Sequence, residues 1–315
     1  MFEWQLFLIA LALELSGFGW LLFLITSFWS VIINLLNSNF STALLGAFAG
    51  AYGGQYIVEK SKSKETLLAE IRHTNNAIIL IHDICNRCIS TKRQHLKETK
   101  ETYDRERAGF IAFREALQRG KIAQGAIYKL VTDFRILPPT ETPIEILQEQ
   151  LFEKTSPGAH ALTLVTILKQ ALFALKDMME RKNDFIEQYK TLSASGQIKP
   201  MTAFQYFGVP DENGHLDESI KSFIDSIYIL NDDCIFFSNR LLEVLVPHCE
   251  MLAEKFGKHA PKVIRPDFSK AEKLGLMPNP DEFADWKFAE PNSEKSLSTG
   301  RSFWRNRIKL FKKHS

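Results

Sequence analysis

The sequence predicts an all-α protein: a two-helix transmembrane hairpin, then a cytoplasmic helical bundle with a long juxtamembrane helix and an irregular C-terminal extension. Three observations lead to this prediction. Two uncharged apolar stretches lie close together near the N-terminus, later segments repeat apolar residues at helical spacing, and no segment alternates convincingly as a strand does. The mean hydropathy of the 315 residues is only −0.12, so the apolar excess is concentrated at one end.

The first apolar stretch, Leu15 to Leu36, contains 22 uncharged residues. A helix of this length extends about 33 Å and matches a hydrocarbon core of about 30 Å. A signal peptide is disfavoured because no Lys or Arg precedes the stretch. Glu14 lies directly before it. We favour an interfacial position for Glu14, and an intramembrane polar role is the alternative.

The second apolar stretch, Ser41 to Val58, carries no charge over 18 residues and is rich in glycine and alanine. Gly46, Gly50 and Gly54 recur every four residues, which stacks them on one side of a helix as a glycine zipper. Such a side lets two helix backbones approach closely in lipid, so these glycines are predicted to form a membrane-helix packing face. A buried helix of a water-soluble domain is the alternative for so short a stretch.

The two stretches are predicted to form a hairpin domain at residues 1–59, with spans at about 15–36 and 41–58, because only a short polar turn separates them. Every Lys and Arg of the chain lies from Lys60 onward, and several follow the second span directly. This cluster predicts that the C-terminal side of the second span faces the cytoplasm, so both termini of the two-span protein are expected to be cytoplasmic. The net charge of +2 is too small to demand a nucleic-acid partner.

Residues 60–258 are predicted to form the cytoplasmic helical bundle. Its first helix shows alternating spacings of four and three, which is typical of the seam of a coiled coil or a long bundle helix. The seam consists of Leu67, Ile71, Thr74, Ile78, Ile81, Cys85 and Cys88. It turns polar at Lys92 and His95, while helix-favouring sequence continues. Two further amphipathic helices are predicted over about 159–192 and 217–256.

The C-terminal part divides into two predicted regions. Residues 259–300 are rich in proline and polar residues and are expected to be irregular. Residues 301–315 form a basic amphipathic tail, predicted to contact a membrane surface or nucleic acid. Its contact residues are Arg301, Trp304, Arg305, Lys309, Lys312 and Lys313. A disordered tail is the remaining alternative.

The sequence contains no phosphate-binding GxxxxGK loop, no GxGxxG, no GxSxG and no HExxH signature. The chain is therefore predicted not to be an enzyme and to need no cofactor. The nearest approach to a metal site is His82, Cys85 and Cys88. Because zinc takes four ligands and both cysteines occupy seam positions, core packing is the prediction and metal binding the alternative.

Three blocks of the sequence carry a resemblance: Ser41 to Gly54, Leu67 to Asn76, and Cys85 to Lys97. Together they resemble the bacterial two-transmembrane effectors encoded beside retron reverse transcriptases in anti-phage defence. The resemblance covers roughly the first third of the chain and transfers no active-site residue. It implies a toxin-like inner-membrane effector that a reverse transcriptase and its RNA–DNA product hold inactive until infection.

The leading hypothesis is thus a non-enzymatic antiviral effector that damages the membrane and causes abortive infection. Its expected partners are the lipid bilayer, further copies of itself, and the reverse transcriptase with its RNA–DNA product. Direct contact with nucleic acid is left open. The alternative is a membrane-anchored helical adaptor or receptor that recruits a cytoplasmic partner.

Overall fold

The computed structural model describes residues 24–25, 27–34 and 39–287. These residues form helices and loops and contain no strand, which confirms the all-α prediction. The chain divides into two compact units, Met1–Thr66 and Leu67–Ser315. The division falls within one long helix, and each unit is described separately below.

The helices are numbered here in chain order from residue 39. The α-helices are α1 Asn39–Thr91, α2 Lys97–Gln118, α3 Ile144–Glu153, α4 Gly158–Ala194, α5 Ala203–Phe207, α6 Ser219–Phe256, α7 Ser269–Lys273 and α8 Ala284–Lys287. A π-helical turn, Lys92–Leu96, joins α1 to α2, and a 3₁₀ turn, Pro280–Phe283, precedes α8. Residues 24–25 and 27–34 are also helical.

In the N-terminal unit, the described parts of both predicted spans are helical. Their large apolar side chains are exposed, as shown by Phe28 and Phe48, each at 67%, and Ile57 at 68%. Residues 1–23, including Glu14, and most of the predicted turn lie outside the described residues.

Among the described residues, one helix is long and apolar enough to cross a membrane, and it is α4. Burial within the second unit accounts for its composition, because Leu164, Leu168 and Leu175 are each at most 1% exposed in the core there. The helix α1, which contains the second predicted span, does not meet the same criterion of mean hydropathy. The two-span hairpin stays a prediction.

The second unit is built around α4 and α6, which pack against each other along their lengths. The part of α1 from Leu67 onward contributes its seam to the same core, and α3 adds Leu147 and Leu151. The predicted helices over 159–192 and 217–256 correspond closely to α4 and α6. The predicted seam is buried as well, with Ile71, Thr74, Ile78, Ile81, Cys85 and Cys88 at 0% exposure and Leu67 partly buried.

A second, aromatic cluster forms where α5 packs near α2 and α6. The short α5 begins with a capping box, in which the side chains of Thr202 and Gln205 each accept a hydrogen bond from the other's backbone N–H. Gly208 ends it in the left-handed conformation that glycine adopts readily. These two signals hold Phe207 against Phe110 of α2, with ring centroids 5.5 Å apart.

Part of the predicted irregular region packs onto the core. Residues 259–287 include α7, the 3₁₀ turn and α8. Phe283 stacks on Phe236 of α6 with ring centroids 3.9 Å apart, and Trp286 lies edge-on to Phe237 of α6 at 5.2 Å. The two aromatic side chains are 2% and 6% exposed. This segment therefore completes one side of the bundle.

Candidate functional site

The π-helical turn Lys92–Leu96 changes the register of the long helix. A π turn closes its hydrogen bonds over five residues instead of four, so each later side chain is displaced by about one position around the helix. The heptad count predicts His95 as the next seam residue, and this is wrong. Leu96 takes that place at 5% exposure, and Tyr103 and Phe110 follow it at intervals of seven, each at 3%.

Lys92 does not mark the solvent-facing end of the seam, because it is only 2% exposed. Its Nζ donates a hydrogen bond to Oδ1 of Asp232 in α6 at 2.6 Å. The same nitrogen lies 4.9 Å from the ring centroid of Tyr228. A buried charge is tolerated when it is paired, so the polar seam position forms an ion pair between the π turn and α6.

The carboxyl group of Asp232 titrates at an unusual pH. Burial raises the pKa of Asp232 to about 6, although the hydrogen bond and charge of Lys92 act in the opposite direction. The carboxylates of Glu282 and Asp233 raise the pKa further. The ion pair therefore loses its negative partner on mild acidification.

A cavity of about 380 Å³ lies beside the π turn. Its walls come from the π turn, the first turn of α2, the segment 133–137, α4 and α6. The polar side chains that line it are Gln94, His95, Thr99, Asp133, Arg135 and Lys182. Concave sites of this size with a few convergent polar groups are typical of small-molecule pockets.

Two sets of hydrogen bonds hold the segment 133–137 at the cavity wall. The amide of Asn183 in α4 accepts from the backbone N–H of Leu137 at 2.9 Å and donates to its carbonyl at 2.8 Å. The guanidinium of Arg135 forks onto Asp133, with Nε to Oδ1 at 2.9 Å and Nη2 to Oδ2 at 2.7 Å. Burial alone would raise the pKa of Asp133, but its hydrogen bonds with Arg135 and the positive charges of Arg135 and Lys182 lower it overall.

Lys182 of α4 is the buried cation of this cavity. It is 6% exposed, and its Nζ donates to the carbonyl of Arg135 at 2.7 Å. Burial lowers the pKa of Lys182 to about 8, against the opposing effect of Asp133. The positive charges of Arg135 and Lys190 add to the lowering. A lysine with a depressed pKa in a concave site is a candidate functional residue.

The cysteines pack in the core, as predicted for Cys85 and Cys88. All four cysteines of the chain are buried free thiols. Burial raises the pKa of Cys85 and of Cys234, which disfavours the thiolate needed for nucleophilic or metal-binding chemistry. Within 24–25, 27–34 and 39–287, no group of three His, Cys, Asp or Glu residues is placed to hold a metal. His82 instead lies against the ring of Phe268, with centroids 5.4 Å apart.

The predicted glycine face is open among the described residues. Gly46, Gly50 and Gly54 lie on α1, and a Cβ atom added at any of them would meet no described atom within 4 Å. Glu14 and the tail 301–315, with all of its predicted contact residues, lie outside the described part of the chain.

No family model, curated protein or solved structure matches this chain. Two features of the molecule itself point to sites of interaction. One is the open glycine face of α1 in the N-terminal unit, and the other is the polar cavity of the second unit.

Proposed function

We propose that the protein is a non-enzymatic effector of the bacterial inner membrane that perturbs the bilayer to arrest or kill an infected cell. The observation that carries this proposal is the composition of α1 along its 53 residues. One continuous helix bears the open glycine face at 46–54 and the fully buried seam that begins at Ile71. A conformational change in the bundle would thus act on the same helix that packs in lipid.

The exposed side chains of the N-terminal unit support the membrane part of the proposal. Leu24, Trp29 and Tyr52 are 59%, 58% and 78% exposed, in addition to the phenylalanines described above. Apolar surface in water costs about 25 cal/mol per Å², and the same surface costs little in a bilayer. Large apolar side chains exposed in this number are typical of contact with lipid or with another protein.

The open glycine face of α1 supports the effector part, because it would allow self-association. In lipid, helices associate through close backbone packing at small residues, and burial of apolar surface contributes little. The glycine face of α1 has no packing partner among the described residues, so a second copy or the first span is the proposed occupant. The proposed topology places both termini in the cytoplasm, because the lysines begin at Lys60.

The proposed mode of control comes from the resemblance to retron-associated effectors. In this proposal, a reverse transcriptase with its RNA–DNA product binds the cytoplasmic part and keeps the effector inactive. Infection releases it, and the hairpin then damages the membrane. Co-purification of the tagged protein with a reverse transcriptase encoded beside it would test this arm directly.

Expression without the inhibitor tests the membrane activity. We expect rapid loss of membrane potential, measured with a voltage-sensitive dye, and we expect Gly50→Leu to abolish it. Leucine favours helix more than glycine does, so the loss would reflect the blocked packing face. Tyr52→Leu is the control, since Tyr52 lies about 200° around the helix from Gly50 and faces away from the three glycines. Depolarisation that survives Gly50→Leu would count against the proposal.

A membrane-anchored adaptor is the second candidate, and one surface of the second unit favours it. Phe173 of α4 is 74% exposed beside a groove of about 520 Å³ that Ile144 and Leu172 also line. An exposed aromatic at a groove is a common feature of protein interfaces. Removal of residues 1–58 separates the two candidates, because an adaptor keeps its partner and an effector loses all toxicity.

A further inference from the structure

We propose that the cavity beside the π turn binds an aliphatic carboxylate, with its carboxylate group on Lys182 and its chain against the apolar wall. This site is independent of the membrane activity proposed above. It rests on the burial and hydrogen bonding of Lys182, on the distribution of charge in the cavity, and on the chemistry of the cavity lining.

The ammonium group of Lys182 is under-satisfied within the described residues. An ammonium has three N–H donors, and the structure assigns one of them, to the carbonyl of Arg135 at 2.7 Å. No described carboxylate forms an ion pair with it, although it is 6% exposed. Burying a cation without a direct ion-pair partner costs free energy, so an anion bound at Lys182 would be favoured.

The one carboxylate that lines the cavity does not fill this role. Asp133 accepts from the guanidinium of Arg135 through both of its oxygens, and Thr99 donates to Oδ2 at 3.3 Å. Its hydrogen bonds are therefore made to Arg135 and Thr99, and its charge acts on Lys182 only through space. Lys182 remains as the second cation of the lining, so a single negative charge on the ligand would balance the site.

The apolar part of the lining indicates what the anion is attached to. Its members are the aliphatic residues Leu96, Ile136, Leu137, Ile224 and Ile227. None of the lining residues is Phe, Tyr or Trp, and nucleobases are usually held by stacking on such rings. An aliphatic chain needs only van der Waals contact with branched side chains. The lining thus favours a fatty-acid-like ligand over a nucleotide.

The cavity lies between several structural elements, so a bound ligand would contact all of them. Leu96 belongs to the π turn, Ile136 to the segment after Asp133, and Ile224 to α6. A bound chain would contact all three and Lys182 of α4 together. Binding is therefore expected to stabilise the second unit.

Calorimetric titration of the purified full-length protein tests the site, with heats of dilution into the same detergent subtracted. The probes are octanoate, neutral octanamide, acetate and inorganic phosphate. We expect saturable binding of one octanoate per chain, with octanamide, acetate and phosphate each at least about tenfold weaker. Equal binding of octanamide and octanoate, equal binding of phosphate, or no octanoate binding would overturn the proposal.

Two pairs of variants locate the binding. Lys182→Met is expected to weaken octanoate binding at least about tenfold, and Lys176→Met, on the exposed side of α4, is expected to leave it unchanged. Ile136→Trp fills the cavity while Lys182 stays intact, and it should also weaken binding. Its control, Ile146→Trp, changes an isoleucine of α3 outside the cavity. Octanoate affinity that is unchanged in Ile136→Trp excludes the cavity, even if Lys182→Met fails to fold.

Discussion

The ammonium group of Lys92 lies 2.6 Å from a carboxylate oxygen of Asp232, and the two side chains are 3% and 10% exposed. The residues are 140 positions apart in the chain. The pair connects the π turn to α6 inside the bundle.

Removal of one partner should be costly. Asp232→Ala removes the counter-charge and the hydrogen bond of the buried Lys92, but it also removes the cost of burying the Asp232 carboxylate that the raised pKa reflects. We therefore expect a net loss of about 1–3 kcal/mol in the free energy of unfolding at pH 7, measured by urea denaturation of the full chain. Asp177→Ala is the control, because it breaks the exposed pair with Arg181 and should cost less than about 1 kcal/mol. Similar losses in the two variants would contradict the assigned role of the buried pair.

The pH dependence of stability should report the raised pKa of Asp232. The native state binds this proton more tightly than the unfolded state does, because the pKa of Asp232 is about 6 in the native state. The stabilisation by protonation is thus present below about pH 4 and is lost as the pH rises through 6.

The Asp232→Asn variant has no titratable group at this position, so its stability serves as the reference for the wild type. The free energy of unfolding of the wild type minus that of Asp232→Asn should fall by about 2–3 kcal/mol from pH 4 to pH 7. Urea denaturation at a series of pH values gives this difference directly. A difference that stays flat, or that grows toward pH 7, would show that the carboxyl group titrates normally.

Single-residue deletions should show that the π turn sets the register of the buried seam. Deleting the exposed Gln94 would turn the π turn into an α turn and keep Leu96, Tyr103 and Phe110 in the buried seam, so we expect a folded protein. Deleting the exposed Glu101 in α2 should rotate Tyr103 and Phe110 by about 100° away from the core. We expect this second deletion to cost at least about 3 kcal/mol, as judged from thermal unfolding. Equal effects of the two deletions would show that the turn does not set the register.

Asn75 should control the stability of the segment that follows α6. Its amide donates to the carbonyl of Lys262 at 3.2 Å and accepts from the backbone N–H of Ile264 at 3.0 Å. Asn75→Ala leaves both groups without this partner, so we expect a loss of about 1–3 kcal/mol and faster hydrogen exchange at the amide of Ile264. Asn76→Ala, at the exposed neighbouring position, should change neither quantity.

Local spacing in the sequence was sufficient for much of the helical framework. The apolar repeats that predict helices over 159–192 and 217–256 agree closely with α4 and α6, and the seam from Ile71 to Cys88 is buried as its spacing predicts. This works because the side of a helix that faces a core is set by the 3.6-residue period, which is a property of neighbouring residues. The glycine repeat at 46, 50 and 54 is equally local, and α1 carries it on an open helical face.

Tertiary structure decided what the polar residues do. In the sequence, Lys92 is a polar residue at an otherwise apolar seam position. It is buried because Asp232 of α6 forms an ion pair with it. The π turn that places Leu96 in the core has no spacing signal before it, and Lys182 becomes a cavity residue because residues 133–137 fold over it. Each of these outcomes depends on contacts between residues far apart in the chain. Such contacts are set by packing and by the need to pair buried charges, which the period of a single helix does not encode.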